Sequence, residues 1–225
     1  MAGTIDGNVH QPVLLQIFTK RPLPGRVKTR LQTVLTPKQA AEVHATLTRV
    51  CLDKFSGLPA RFRVELWGDA PATTPFFAEL LQAHPRLGFR LQKGKDLGQR
   101  MAFAMRSGLL RSPRVLLIGT DCPALQVDHL LSIAKGMQNR RLELIAAEDG
   151  GYVLIGGKSY HHRVFRGVDW GTACVLQQTV QQVRRINWQV CIHDVLWDID
   201  EPQDLARAYK TKLICDERID AQLIL

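Results

Sequence analysis

The run RVLLIG at 114–119 constrains the fold more than any other stretch of this chain. It is apolar at nearly every position rather than at alternate ones, the pattern of a strand inside a parallel sheet whose two faces are both covered by helices. It runs straight into Thr120-Asp121-Cys122-Pro123, where the proline stops further ladder pairing. Neighbours for such a strand are present along the chain. VLLQIFT (13–19), FRVELW (62–67), LELIAAE (142–148), YVLIGG (152–157) and a stretch around 189–195 all read as strands. Helical periodicity occupies 36–55, 74–83, 98–111, 127–137, 171–185 and 202–210. Thr36, Pro37 and Gln39 open the first of these with the spacing of a capping box and a proline at the first helical position. This alternation predicts a three-layer α/β/α architecture with a mostly parallel sheet, which binds ligands beyond the carboxyl ends of its strands.

A chain of 225 residues with 45% hydrophobic content can build one sizeable core, so one domain over 1–225 is expected, with 1–12 as a flexible extension. No stretch approaches the roughly 20 apolar residues of a membrane-spanning helix. The opening MAGTIDGNVHQP lacks the basic and apolar regions of a signal peptide, and a cytoplasmic location is expected. The cysteines Cys51, Cys122, Cys174, Cys191 and Cys215 are scattered, odd in number and form no C-x-x-C pair, so neither a disulfide framework nor a zinc site is expected, and the thiols are expected to be reduced. A net charge of +9 favours an anionic partner, and a soluble basic surface explains it equally well.

Residues that follow strands carry the chemical signal. The segment 20–30 holds Lys20, Arg21, Arg26, Lys28 and Arg30 with no acid among them. Such a loop reads either as a phosphate cradle relaxed by Gly25 or as a solvated basic turn. It is not a Walker loop, because Val27 stands where that motif needs glycine. Asp121 is placed to ligate a hard cation, or to serve as a turn or cap residue. Glu148 and Asp149 precede Gly150 and Gly151, which reads as metal or base chemistry beside an open backbone and also as an ordinary hairpin turn. Asp198 and Asp200 could complete a metal site or cap the helix begun by Glu201-Pro202. Trp170 and Thr172 could face a sugar or other acceptor, or be core and cap. Cys122 has no basic partner in sequence and reads as a small residue beside the site. His161, His162 and His193 lack metal-ligand spacing and read as surface or packing residues.

Six ordered motifs, F-T-K-R-P-x-P-G-R-V-K-T-R-L (18–31), D-L-G-Q-R-M (96–101), I-G-T-D-C-P-A-L (118–125), E-D-G-G-Y-V-L-I-G (148–156), D-W-G-T (169–172) and D-I-D-E-P-Q-D-L (198–205), span roughly 13–210. Together they resemble the small bacterial GT-A-like transferases known as arsenosugar-biosynthesis-type or radical-SAM-associated glycosyltransferases. The resemblance implies a nucleotide-diphospho-sugar transferase fold, similar also to the molybdenum-cofactor and phospholactate guanylyltransferase families. It implies Asp121 as the metal holder, the loop from Lys20 to Arg30 as the donor-phosphate site and the late D-x-D-x-P segment as a further acidic group. The sequence departs from the usual GT-A D-x-D pair, since Cys122 and Pro123 follow Asp121.

The expected enzyme is thus a transferase dependent on Mg²⁺ or Mn²⁺, taking a nucleotide-activated donor. Lys20, Arg26, Lys28 and Arg30 are expected to bind donor phosphates. Asp121, Asp200 and Asp198 are the expected metal ligands, and Asp149 the catalytic group. Gly98, Arg100, Gly150, Gly151, Trp170 and Thr172 are expected around donor or acceptor. Glycosyl transfer from an NDP-sugar is the first expectation and nucleotidyl transfer from an NTP the alternative. A non-catalytic nucleic-acid-binding module is a distant third, for which the chain has no helix-turn-helix, RNP-like or zinc pattern.

Overall fold

The computed structural model describes residues 11–213. The extension expected over 1–12 falls outside that range except for its last two residues, as does Cys215. Seven strands form one sheet: β1 (Val13–Phe18), β2 (Phe62–Gly68), β3 (Gly88–Leu91), β4 (Val115–Ile118), β5 (Arg141–Ala147), β6 (Tyr152–Gly157) and β7 (Gln189–Leu196). Their spatial order is β3-β2-β1-β4-β6-β5-β7. All run parallel except β6, which is antiparallel to both its neighbours. The exception follows from the short turn at Glu148–Gly151: a tight hairpin joins antiparallel strands only, whereas parallel neighbours need a long crossover.

Those crossovers are α1 (Pro37–Ser56), α2 (Pro75–Ala83), α3 (Leu97–Leu109) and α4 (Val127–Gly136), while α5 (Val175–Arg185) leads from β6 to β7 and α6 (Pro202–Lys210) closes the fold. The capping box forms at α1, with the Gln39 amide donating to Thr36 Oγ1 at 3.3 Å and the Thr36 amide to Gln39 Oε1 at 2.9 Å. Alternate strand residues divide between the faces. Leu15, Ile17, Leu116 and Ile118 pack with Leu52 and Phe55 of α1, Phe77 of α2 and Ile133 of α4. Leu14, Val115 and Leu117 pack with Met101 and Met105 of α3 and Val183 of α5 on the other side. A third cluster joins Leu31, Leu35 and Leu47 to Trp197, Ile199 and Leu205, so the basic loop and the segment before α6 share one core.

Two expectations are corrected. The helix expected from 171 begins at Val175, because Gly171 has a positive φ of 83° and Thr172 Oγ1 donates to the Asp169 carbonyl at 2.8 Å, closing a turn in place of a first helical turn. β3 was not expected at all: four residues on the sheet edge carry too little periodicity to register. Among the described residues no helix is long and apolar enough to cross a membrane, and the four described cysteines are free.

Candidate active site

The chain runs outward from β1 to β2 and β3, then crosses back to place β4 on the other side of β1. Such a switch point opens a crevice at the carboxyl ends of the strands. The basic loop leaves β1 and Asp121 leaves β4 at this crevice, while Asp149 follows β5, and Asp198 and Asp200 follow β7. A cleft of about 520 Å³ occupies the position. It is lined by Lys20, Arg26, Lys28, Arg30, Arg100, Asp121, Asp149, Gly151, Trp170, Thr172, Asp198 and Asp200.

Main-chain bonds fix these loops on one another. The Ile199 amide donates to the Asp121 carbonyl at 2.8 Å, and the Glu148 amide to the Leu196 carbonyl at 2.9 Å. Lys28 is the pivot of the acidic side. Its backbone is left-handed, φ 47° and ψ 43°, a conformation that costs a non-glycine residue about 1–2 kcal/mol. The conformation turns its side chain into the fold, where it is buried. Its Nζ lies 2.9 Å from Asp121 Oδ2 and 3.8 Å from Asp200 Oδ1, and donates to the Ile199 carbonyl. Arg30, exposed, bonds Asp200 Oδ2 at 2.8 Å.

The electrostatics of the aspartates diverge. Burial pushes the Asp121 carboxyl up, but Lys28 and His44 outweigh it and hold it well below the usual carboxylate range. Asp198 goes the other way. Burial first, then the negative charge of Asp149, with Lys28 opposing and Asp121 adding to it, push its carboxyl up to about 6. Cys122 is pushed up to about 12 by burial, which leaves a thiol rather than a nucleophilic thiolate.

The oxygen-only aspartate set suits a hard divalent cation in kind, and such an ion would offset the charges of Asp149 and Asp121 that add to burial in raising the Asp198 carboxyl. The Asp121 and Asp200 carboxylates stand around the Lys28 ammonium. Among the described residues, the group of three with ligand atoms all within 4.8 Å lies elsewhere.

Gly98 and Gly150 are not in the lining, and each permits a close approach. A Cβ on Gly98 would sit 2.3 Å from Trp170 Nε1, so the absent side chain lets the indole lie against α3. One on Gly150, whose φ is 88°, would sit 2.2 Å from the Ala173 carbonyl oxygen. Glu148 pairs with Arg207 of α6 at 2.9 Å. Asp149 Oδ1 accepts from the Gly151 amide at 2.8 Å.

His44 was missed by sequence reasoning. Its Nε2 lies 3.0 Å from the Lys20 carbonyl, which can only accept, so that nitrogen carries a proton; Nδ1 faces Asp121 Oδ1 at 3.8 Å. The available signal was a polar pair, His44 and Thr48, within the buried stripe of α1. Gln92 was missed too. Its amide donates to the carbonyls of Thr19 and Trp67 at 2.9 and 2.8 Å, pinning the end of β1 beside the cleft.

This sheet order with a cleft at its carboxyl edge is the nucleotide-diphospho-sugar transferase fold. The family model described as "Uncharacterized protein conserved in bacteria (DUF2064)" matches residues 58–172, just over half of the chain, and the chain belongs to that family. A solved structure from Desulfovibrio desulfuricans G20, provisionally assigned as a nucleotide-diphospho-sugar transferase, is 30% identical with a TM-score of 0.79, over 94% of this chain and 93% of that one. A nucleotidyl transferase from Methanothermobacter thermautotrophicus matches at TM-score 0.60 and 12% identity, over 90% and 98% of the two chains. The 4-diphosphocytidyl-2C-methyl-D-erythritol synthase of Anaerococcus prevotii matches at 0.57 and 9%, over 91% and 97%. At such identities the last two show a shared fold alone. No curated protein matches the sequence.

Proposed function

We propose that the chain is a metal-dependent transferase that uses a nucleotide-activated donor, with glycosyl transfer from an NDP-sugar as its reaction. The observation that carries this reading is the meeting, in one cleft at the carboxyl edge of the sheet, of the basic loop after β1 with four aspartates from the ends of β4, β5 and β7. The relative assigned to nucleotide-diphospho-sugar transfer supports it, as does the resemblance to arsenosugar-biosynthesis-type and radical-SAM-associated transferases.

In this reading Lys20, Arg26 and Arg30, exposed on the loop, and Lys28 beneath them hold the donor phosphates. Asp121 with Asp198 or Asp200 would hold a Mg²⁺ or Mn²⁺ ion, whose positive charge would be set against the phosphate oxygens. Asp149 has one oxygen fixed by the Gly151 amide, and the other orients or deprotonates the acceptor hydroxyl. Trp170, Thr172 and the Gly151 backbone form the wall on which a sugar or acceptor rests. One observation favours nucleotidyl transfer as the second reading: Arg100 adds a fifth cationic side chain to the lining, more than a diphosphate requires.

Asp121→Asn tests the site. Titration calorimetry with nucleotide and Mn²⁺ is expected to show weakened metal-dependent binding, with an unchanged circular dichroism spectrum. Unaltered metal-dependent affinity would remove Asp121 from the mechanism.

A further inference from the structure

A second cluster lies between the last two strands of the sheet, apart from the donor cleft. Glu143 of β5 stands directly opposite Cys191 of β7, and His193 follows on the same strand. Cys191 faces Glu143 across the ladder, and His193 reaches the same carboxylate from two residues further along. One ligand atom from each of the three lies within 4.8 Å of the others. His193 Nε2 is 2.8 Å from Glu143 Oε2. Glu143 is fully buried, while the His193 side chain is 23% exposed and Cys191 is half-buried, leaving an approach from solvent.

The backbone at this point is irregular. Leu144 pairs with Ile192 but Ala146 with Val195, so His193 and Asp194 together oppose Ile145. A bulge of this kind re-aims a side chain at the cost of ladder bonds. Here one of the two bulged residues is the histidine that meets Glu143.

We propose that Glu143, Cys191 and His193 form a binding site for a divalent transition metal of the zinc class. The donors are one imidazole nitrogen, one sulfur and one carboxylate oxygen, a borderline-soft set that selects Zn²⁺ or Co²⁺ over Mg²⁺. Three protein ligands leave the fourth tetrahedral position to water. Arg141 Nε donates to Glu143 Oε1 at 2.7 Å, which orients the carboxylate and leaves Oε2 for the ion. On binding, the Cys191 thiol proton and any proton on His193 Nε2 leave to solvent. The ion fastens β5 to β7, the strands whose carboxyl ends carry Asp149 and Asp198, so it acts on the fold without entering the donor cleft.

The test uses full-length protein, free of any affinity tag, stripped by chelator and titrated anaerobically with Co²⁺. One equivalent is expected to give a thiolate-to-cobalt charge-transfer band that Zn²⁺ abolishes by displacement and Mg²⁺ leaves intact. Cys191→Ser is expected to lack the band, and His193→Ala to bind at least about tenfold more weakly, since even outer partners of a metal ligand are worth that much. Asp121→Asn is expected to keep the band, which separates this site from the donor cleft. A wild-type protein without the band at one equivalent overturns the proposal, whatever the folding of the variants. So does a folded Cys191→Ser that retains the band, which leaves Glu143 in an ion-pair network with Arg141 and His193.

Discussion

Lys28 holds together two groups that would otherwise repel. Asp121 and Asp200 both face its ammonium, and its left-handed backbone is the strain accepted to bring it there. Lys28→Ala leaves Asp121 with the Thr120 hydroxyl and His44 as partners. Because the Asp121 side chain is 40% exposed, water screens the loss, and a destabilisation of about 1–2 kcal/mol is expected in urea unfolding. Donor affinity in calorimetry should fall further, by about 1.5–3 kcal/mol, the worth of a hydrogen bond to a charged group. Equal binding by wild type and variant would return the loop to a solvated surface. Asp198 gives a pH test. An unfolded aspartate titrates near 3.8, whereas in the fold Asp198 holds its proton up to about 6. The folded state therefore binds the extra proton, and stability from this group falls as pH rises from about 4 to about 6, then levels. Asp198→Asn should be more stable than wild type at about pH 7 by about 1–2 kcal/mol, allowing for water at a half-buried side chain, and equal to it near pH 4. A gain of the same size at both pH values would assign the effect to something other than ionisation.

The elements divide into those that announce themselves and those set by distant partners. β1, β4 and β5 are legible because burial on both faces demands mostly apolar runs, broken only by Gln16 in β1 and by Arg141 and Glu143 in β5, and α1 because its cap is written in Thr36, Pro37 and Gln39. The four aspartates were legible for a related reason: each follows a strand, where a parallel sheet exposes its chemistry. His44 was not, since its pairing with Thr48 in the buried stripe of α1 marks a polar spot in the core without showing that it reaches Asp121. Nor was the role of Gly98, whose reason is the Trp170 ring seventy-two residues away in sequence. The Glu143, Cys191 and His193 group was likewise hidden, because the ligands come from two strands and a bulge. Gly98→Ala tests the helix–indole contact. A methyl 2.3 Å from the ring nitrogen forces the indole or α3 to move, and a loss of about 1–3 kcal/mol in stability is expected. Donor or acceptor affinity should fall with it as Trp170 leaves the cleft wall. A variant as stable as wild type, with unchanged binding, would show that the contact is not tight.

At the scale of the molecule, six parallel strands aim their carboxyl ends at one edge, so loops far apart in sequence share a single cleft. The net charge of +9 draws anions to the surface, but the aspartates within the cleft restrict which anion settles there. In the proposed reading a nucleotide donor arriving with a divalent cation would satisfy those carboxylates, which a bare nucleic-acid backbone would not. In the proposed reading one phosphate clamp would serve either of two donors, which differ beyond the β-phosphate: one continues into a sugar, the other into a γ-phosphate. Thermal unfolding with Mn²⁺ or Mg²⁺ and a panel of NDP-sugars beside the matching NTPs tests the account most directly. At least one NDP-sugar should raise the melting temperature above what its NTP achieves, because sugar contacts add to those of the diphosphate, and slow release of NDP should accompany it. Stabilisation by NTPs alone, with pyrophosphate formed in an acceptor screen, would contradict glycosyl transfer and establish the nucleotidyl reaction in its place.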